Sequence, residues 1–202
     1  MTDDGPRGVV LPMPPRRLMF VTLTALALAA CLDGPGEVLT GETGETGDGD
    51  PPAGLAVALV DAGAWSSAPL ASDPLAAHQP EEVVCLPGAW VEEFGVLEAS
   101  TETCNYLSLE QPLAAGLEAG DRVAIELWWA ALLAPEPAAG HLALLVDGEL
   151  LWETWVEIPA KADARRFEFA SPISAEPGAR VIFHLHNHGQ NTWTLATVER
   201  LE

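Results

Sequence analysis

Two tryptophans in this chain each stand two residues after a glutamate, Glu126 before Trp128 and Glu153 before Trp155. Side chains of an extended chain alternate between faces, so each pair shares one face. A flat indole beside a carboxylate is a surface on which a sugar ring stacks and finds a hydrogen-bond acceptor. Around Trp128 the alternation is explicit: Val123, Ile125, Leu127 and Trp129 fall on one face as core, leaving Trp128 with Glu126 on the other. Trp155 falls with Glu153 and Glu157 rather than with Val156 and Ile158. Both indoles are therefore expected to face outward, unless a loop covers them and makes a second small core.

His184, His186 and His188 follow one another at alternate positions. In a strand over 180–187, His184 and His186 project from one face, opposite Phe183 and Leu185. Same-face neighbours are about 7 Å apart at the backbone, close enough for a His-x-His pair to chelate Zn2+ or Cu2+. His188 falls at the following turn, and a third ligand has to come from His141, from His78 or from a carboxylate. The other reading of these histidines is hydrogen bonding to loop backbone around Asn187 and Asn191. No activated nucleophile accompanies them: Gly-x-Ser-x-Gly, His-Glu-x-x-His and phosphate-cradling glycine loops are missing. The adjacent pairs Glu81-Glu82 and Glu92-Glu93 point to opposite strand faces and make poor acid–base dyads. A non-enzymatic binding domain is the first expectation, and a metal-binding or metalloenzyme domain using His184 and His186 is the alternative.

The elements that must position these residues are short and alternating, broken by Gly, Pro and Asp, with no amphipathic helix longer than two turns. The expected strands are 55–60, 83–87, 90–98, 104–110, 121–130, 141–147, 149–158, 165–170, 180–187 and 192–199. Asp147-Gly148 between two apolar runs is the clearest hairpin, since its turn type needs positive φ at both central positions. An all-β, two-sheet jelly-roll sandwich over 55–202 is the fold class this pattern predicts.

Upstream the chain changes character. Arg16-Arg17 is followed by an uncharged run, Leu18 to Ala30, laid out as a signal peptide and too short to span a bilayer. Asp3 and Asp4 sit poorly in such a leader, and Met13 is the expected start. Leu28-Ala29-Ala30-Cys31 resembles the lipobox of bacterial lipoproteins. The resemblance implies removal of residues 1–30, acylation of Cys31 with palmitate-like chains, and anchoring in a lipid bilayer. Leu32, where an aspartate would retain the protein at the inner membrane, implies the outer membrane. Residues 31–54 are then a lipidated cysteine and an acidic tether, disordered by composition, carrying Gly41-Glu42-Thr43-Gly44-Glu45-Thr46-Gly47. From Cys31 onward six basic residues face 28 acidic ones, a net charge of about −22 that excludes nucleic acid as a partner.

With Cys31 acylated, Cys85 and Cys104 remain as an even pair in an oxidising compartment, where two thiols pair as a disulfide. A metal-binding or catalytic pair is the competing reading. The bond would fasten the irregular 61–103 segment to the sandwich.

The run Asn105 to Leu113, followed by Leu117-Glu118-Ala119-Gly120-Asp121 and the strand Arg122 to Trp128, resembles galactose-binding-like jelly rolls, which include many carbohydrate-binding modules. Asn187 to Val198 is similar to the way that fold closes. The resemblance implies a glycan or a protein of the cell envelope as ligand, with Trp128, Trp155, Glu126 and Glu153 as contact residues, and it admits a structural Ca2+ ion.

Overall fold

In a computed structural model of the protein, residues 55–187 and 189–202 are described; the leader, Cys31, the tether and His188 lie outside them. The described chain forms the strands β1 (Ala56–Ala58), β2 (Ser66–Ser67), β3 (Trp90–Glu93), β4 (Val96–Ser100), β5 (Tyr106–Pro112) and β6 (Arg122–Trp129). They continue as β7 (Ala138–Val146), β8 (Glu149–Ile158), β9 (Asp163–Ala170), β10 (Arg180–Asn187) and β11 (Thr192–Leu201). Pairing is antiparallel throughout and gives two sheets. One runs β3-β4-β11-β6-β9, with β1 also on β11; the other runs β2-β5-β10-β7-β8. This is the two-sheet jelly-roll sandwich expected from the alternation.

The inner faces interdigitate as one core. Val123, Ile125, Leu127 and Trp129 of β6 meet Val181, Phe183 and Leu185 of β10 and Leu142 and Leu144 of β7, all buried. Trp129 and Trp193 lie 5.4 Å apart between ring centroids. Gly140 points into this core, where a Cβ would sit 2.6 Å from the Trp193 ring.

The Asp147-Gly148 hairpin forms as predicted, with φ of 49° and 86°. Two expected strands differ. The 90–98 run is a hairpin, because Phe94 and Gly95 take positive φ (53° and 82°) and fold β3 back on β4. The 83–87 run forms only a single bridge, Cys85 with Cys104, inside loop structure. Those two cysteines are disulfide-bonded, with an S–S distance of 2.00 Å. The amide of Asn105 donates to the Val84 carbonyl, and its side chain accepts from the Val84 amide and donates to the Glu82 carbonyl. The bond therefore holds 82–86 against the start of β5.

β2 was not anticipated. From it, residues 68–79 run as a strap across the outer face of the five-stranded sheet. Ala68 and Leu75 pack there on Ala143, Leu145 and Ile182 as a second apolar cluster. Polar ties fix the strap along its length. Arg180 donates to the Ser72 carbonyl and pairs with Glu110 at 2.6 Å. The Tyr106 hydroxyl donates to buried Asp73 at 2.7 Å, and Asp73 in turn accepts from the Leu75 amide.

Candidate functional site

The outer face of the five-stranded sheet carries its chemistry in two cross-strand rows. Register places Tyr106, His186, His141 and Trp155 side by side across β5, β10, β7 and β8. The next row holds Ser108, His184, Ala143 and Glu153. Over both rows lies the three-residue 3-10 turn Ala76–His78 at the end of the strap. Sequence spacing gave the outward face of Trp155, Glu153, His184 and His186; their neighbours depend on register between strands far apart in the chain.

Trp155 is 55% exposed. Its ring stacks on buried His141 with centroids 4.0 Å apart and planes 9° from parallel, so the indole is held by the imidazole on the neighbouring strand. Glu153 accepts from His141 Nε2 at 3.0 Å while its side chain stays 44% exposed. His78 Nδ1 lies 3.2 Å from His141 Nδ1. His184 is fully buried, and neither of its ring nitrogens has a hydrogen-bond partner among the described residues. One ligand atom from each of His78, His141 and His184 falls within 4.8 Å of the others. Tyr106 closes the far side, 4.8 Å from His184 between centroids.

Electrostatics follow from burial. Desolvation pushes the His184 pKa down to about 3, helped by the neighbouring His141, His186 and His78. Burial lowers His141 as well, against the opposing pull of Glu153. Tyr106 is pushed up by burial and by the Asp73 carboxylate, so its hydroxyl remains a donor.

The predicted site residues separate into two groups. Trp155, Glu153, His141 and His184 meet on the five-stranded sheet. Trp128 and Glu126 do face outward, but from β6 in the other sheet, so the two indoles share no surface. There Glu126 pairs with Arg166, which also pairs with Glu168 at 2.8 Å. His186 shares the outward face with His184, as the alternation requires, yet their ring centroids are 6.5 Å apart and His186 is outside the close group of three. His188 lies outside the described residues. Among the described residues no set of three carboxylates converges to cradle a calcium ion. Tyr106 and Asp73, which hold the strap and hence His78, carried no signal in the sequence: their contact spans 33 residues. Asn187 and Asn191 serve the turn between β10 and β11 through Thr101 and Leu133.

No protein family matches the chain, and neither does any curated protein. Solved structures similar to it include a protein described as CBM4, at 14% identity and a TM-score of 0.40, covering 60% of this chain and 77% of that one. Another is the N-terminal cellulose-binding domain of Cellulomonas fimi β-1,4-glucanase C, at 12% identity, 61% and 88% coverage and a TM-score of 0.39. A third is the enzymatically active domain of bacteriophage CBA120 tailspike protein 4, at 14% identity and a TM-score of 0.41, where the match covers 72% of this chain but 22% of that one. All three TM-scores are below 0.5, so the case for any ligand rests on the side chains of this chain.

Proposed function

We propose that the chain is an exported, lipid-anchored binding module without catalytic activity, whose sandwich presents Trp155 and Glu153 to a glycan at the cell envelope. The observation that carries this reading is the indole of Trp155, 55% exposed yet fixed by stacking on His141. A rigid, exposed aromatic plane loses little conformational freedom when a sugar ring covers it, and the carboxylate of Glu153 at the next outward position accepts hydroxyl hydrogens. Acyl chains on Cys31 hold the module at a membrane, with Leu32 directing it to the outer one, and the acidic tether sets it off the surface.

Affinity electrophoresis through a panel of envelope and plant glycans tests the binding. Retention on at least one glycan by the wild type, lost in Trp155→Ala at unchanged melting temperature, is expected. A wild-type chain retained by none of them ends the glycan reading. Anchoring is tested separately: palmitate labelling in cells should vanish in Cys31→Ser, and labelling that persists refutes it.

A further inference from the structure

We propose that His78, His141 and His184 form a transition-metal site, ligating one zinc-class divalent ion through three imidazole nitrogens. The three come from separate elements, the 3-10 turn, β7 and β10, and converge only in the folded chain. Their ligand atoms all lie within 4.8 Å of one another. The closest pair, His78 Nδ1 and His141 Nδ1, is 3.2 Å apart. Two nitrogens bound tetrahedrally to zinc at about 2.05 Å stand about 3.4 Å from each other. The contact thus holds either one proton or one metal ion between two lone-pair positions.

His184 supplies an independent observation. It is a fully buried imidazole with neither nitrogen hydrogen-bonded among the described residues. An unpaired buried polar group costs about 1–3 kcal/mol, a cost that a metal bond to one nitrogen relieves.

The surroundings select the tautomer that ligation needs. A carboxylate only accepts, so the 3.0 Å contact with Glu153 places the proton of His141 on Nε2 and leaves the Nδ1 lone pair facing His78. A carboxylate behind a ligating histidine is the usual supporting arrangement at such centres, where it also raises the basicity of the ring. The neutral imidazole is the form that ligates. Three imidazoles with no thiolate suit zinc, copper or nickel over calcium or magnesium. The strap completes the site: the Tyr106–Asp73 bond and the Ser72–Arg180 contact anchor it, and His78 stands at its end.

His184 and His186, the pair that spacing alone offered, give way to His184 with two histidines 43 and 106 residues away. The metal site does not depend on glycan binding at Trp155, although the His141 ring is common to both.

The test uses the full chain purified without a polyhistidine tag, stripped with a chelator and titrated with Zn2+ by calorimetry, with melting followed in parallel. Expected are about one zinc per chain and a melting temperature that rises with zinc. His184→Gln should weaken zinc binding at least tenfold. Because that change lies in packed surroundings, half-buried His78→Ala carries the decisive reading: the far-UV spectrum should be unchanged and the zinc-induced rise in melting temperature lost. Trp155→Ala should keep the zinc stoichiometry, which separates this site from sugar binding. A wild-type chain that neither binds zinc nor gains melting temperature overturns the proposal, as does zinc binding that survives His78→Ala undiminished.

Discussion

The outer faces of the two sheets begin from the same local pattern and end as different surfaces. Each presents a tryptophan two residues after a glutamate. On the six-stranded sheet Glu126 is taken up by Arg166, in a ladder that continues through Glu168 to Arg122 at 2.7 Å. Among the described residues no aromatic ring stacks on Trp128. On the five-stranded sheet the cross-strand neighbour of Trp155 is His141, and that imidazole both supports the indole and draws in Glu153. One face is a solvated charge ladder; the other has a strap, a buried histidine cluster and a rigid aromatic plane. A period-two pattern fixes which way a side chain points, while the residue on the next strand fixes what it can do.

Four experiments put that contrast at risk. The largest effect is expected from Cys85→Ser/Cys104→Ser. Removing a bond that closes 19 residues of sequence separation should lower stability by about 3 kcal/mol in urea unfolding. Two free thiols in the native protein would show that the bond does not form. Next, Asp73→Ala removes the nearer of the two acceptors of the Tyr106 hydroxyl, the other being the Leu75 carbonyl, together with the acceptor of the Leu75 amide, and should cost about 1–3 kcal/mol. Hydrogen exchange should speed up across 70–79 while β6 and β9 stay protected; equal loss of protection in both sheets would mean that the strap is no separate unit. Third, Trp155→Ala should weaken glycan retention at least tenfold, about 1.4 kcal/mol, with Trp128→Ala within twofold of wild type. Equal losses would erase the distinction between the faces. The smallest effect belongs to Glu126→Gln. Its ion pair is about 40% exposed on both sides, so the change should shift stability by less than about 0.5 kcal/mol, and less still in high salt.

The legible part of this fold was local. Alternation through Val123 to Trp129 assigned the core face of β6 correctly, and Asp147-Gly148 marked its hairpin because those residue types tolerate the positive φ the turn requires. The cysteine pair was legible by counting once Cys31 was set aside. The β3–β4 turn was not, since a phenylalanine at φ 53° is a conformation that bulky residues rarely take and that no propensity signals. The histidine cluster was only half legible. His184 and its outward direction came from spacing, whereas His78 reaches His141 across 63 residues by way of a strap that reads as irregular loop. Apolar Ala68 and Leu75 gave too sparse a pattern to announce that the strap covers a sheet.

Gly140 sits one residue before His141 and faces the opposite way, against the Trp193 ring. β7 is therefore a thin partition with an indole on one side and an imidazole on the other. A methyl group at 140 has no room in the core and must be absorbed by moving the strand outward or the indole aside. Outward movement carries His141 with it, and with His141 the tilt of Trp155 and the hold on Glu153. An interior substitution as small as one carbon atom would thus be felt at the surface, and the tolerance of this outer face for sequence change is set from behind it.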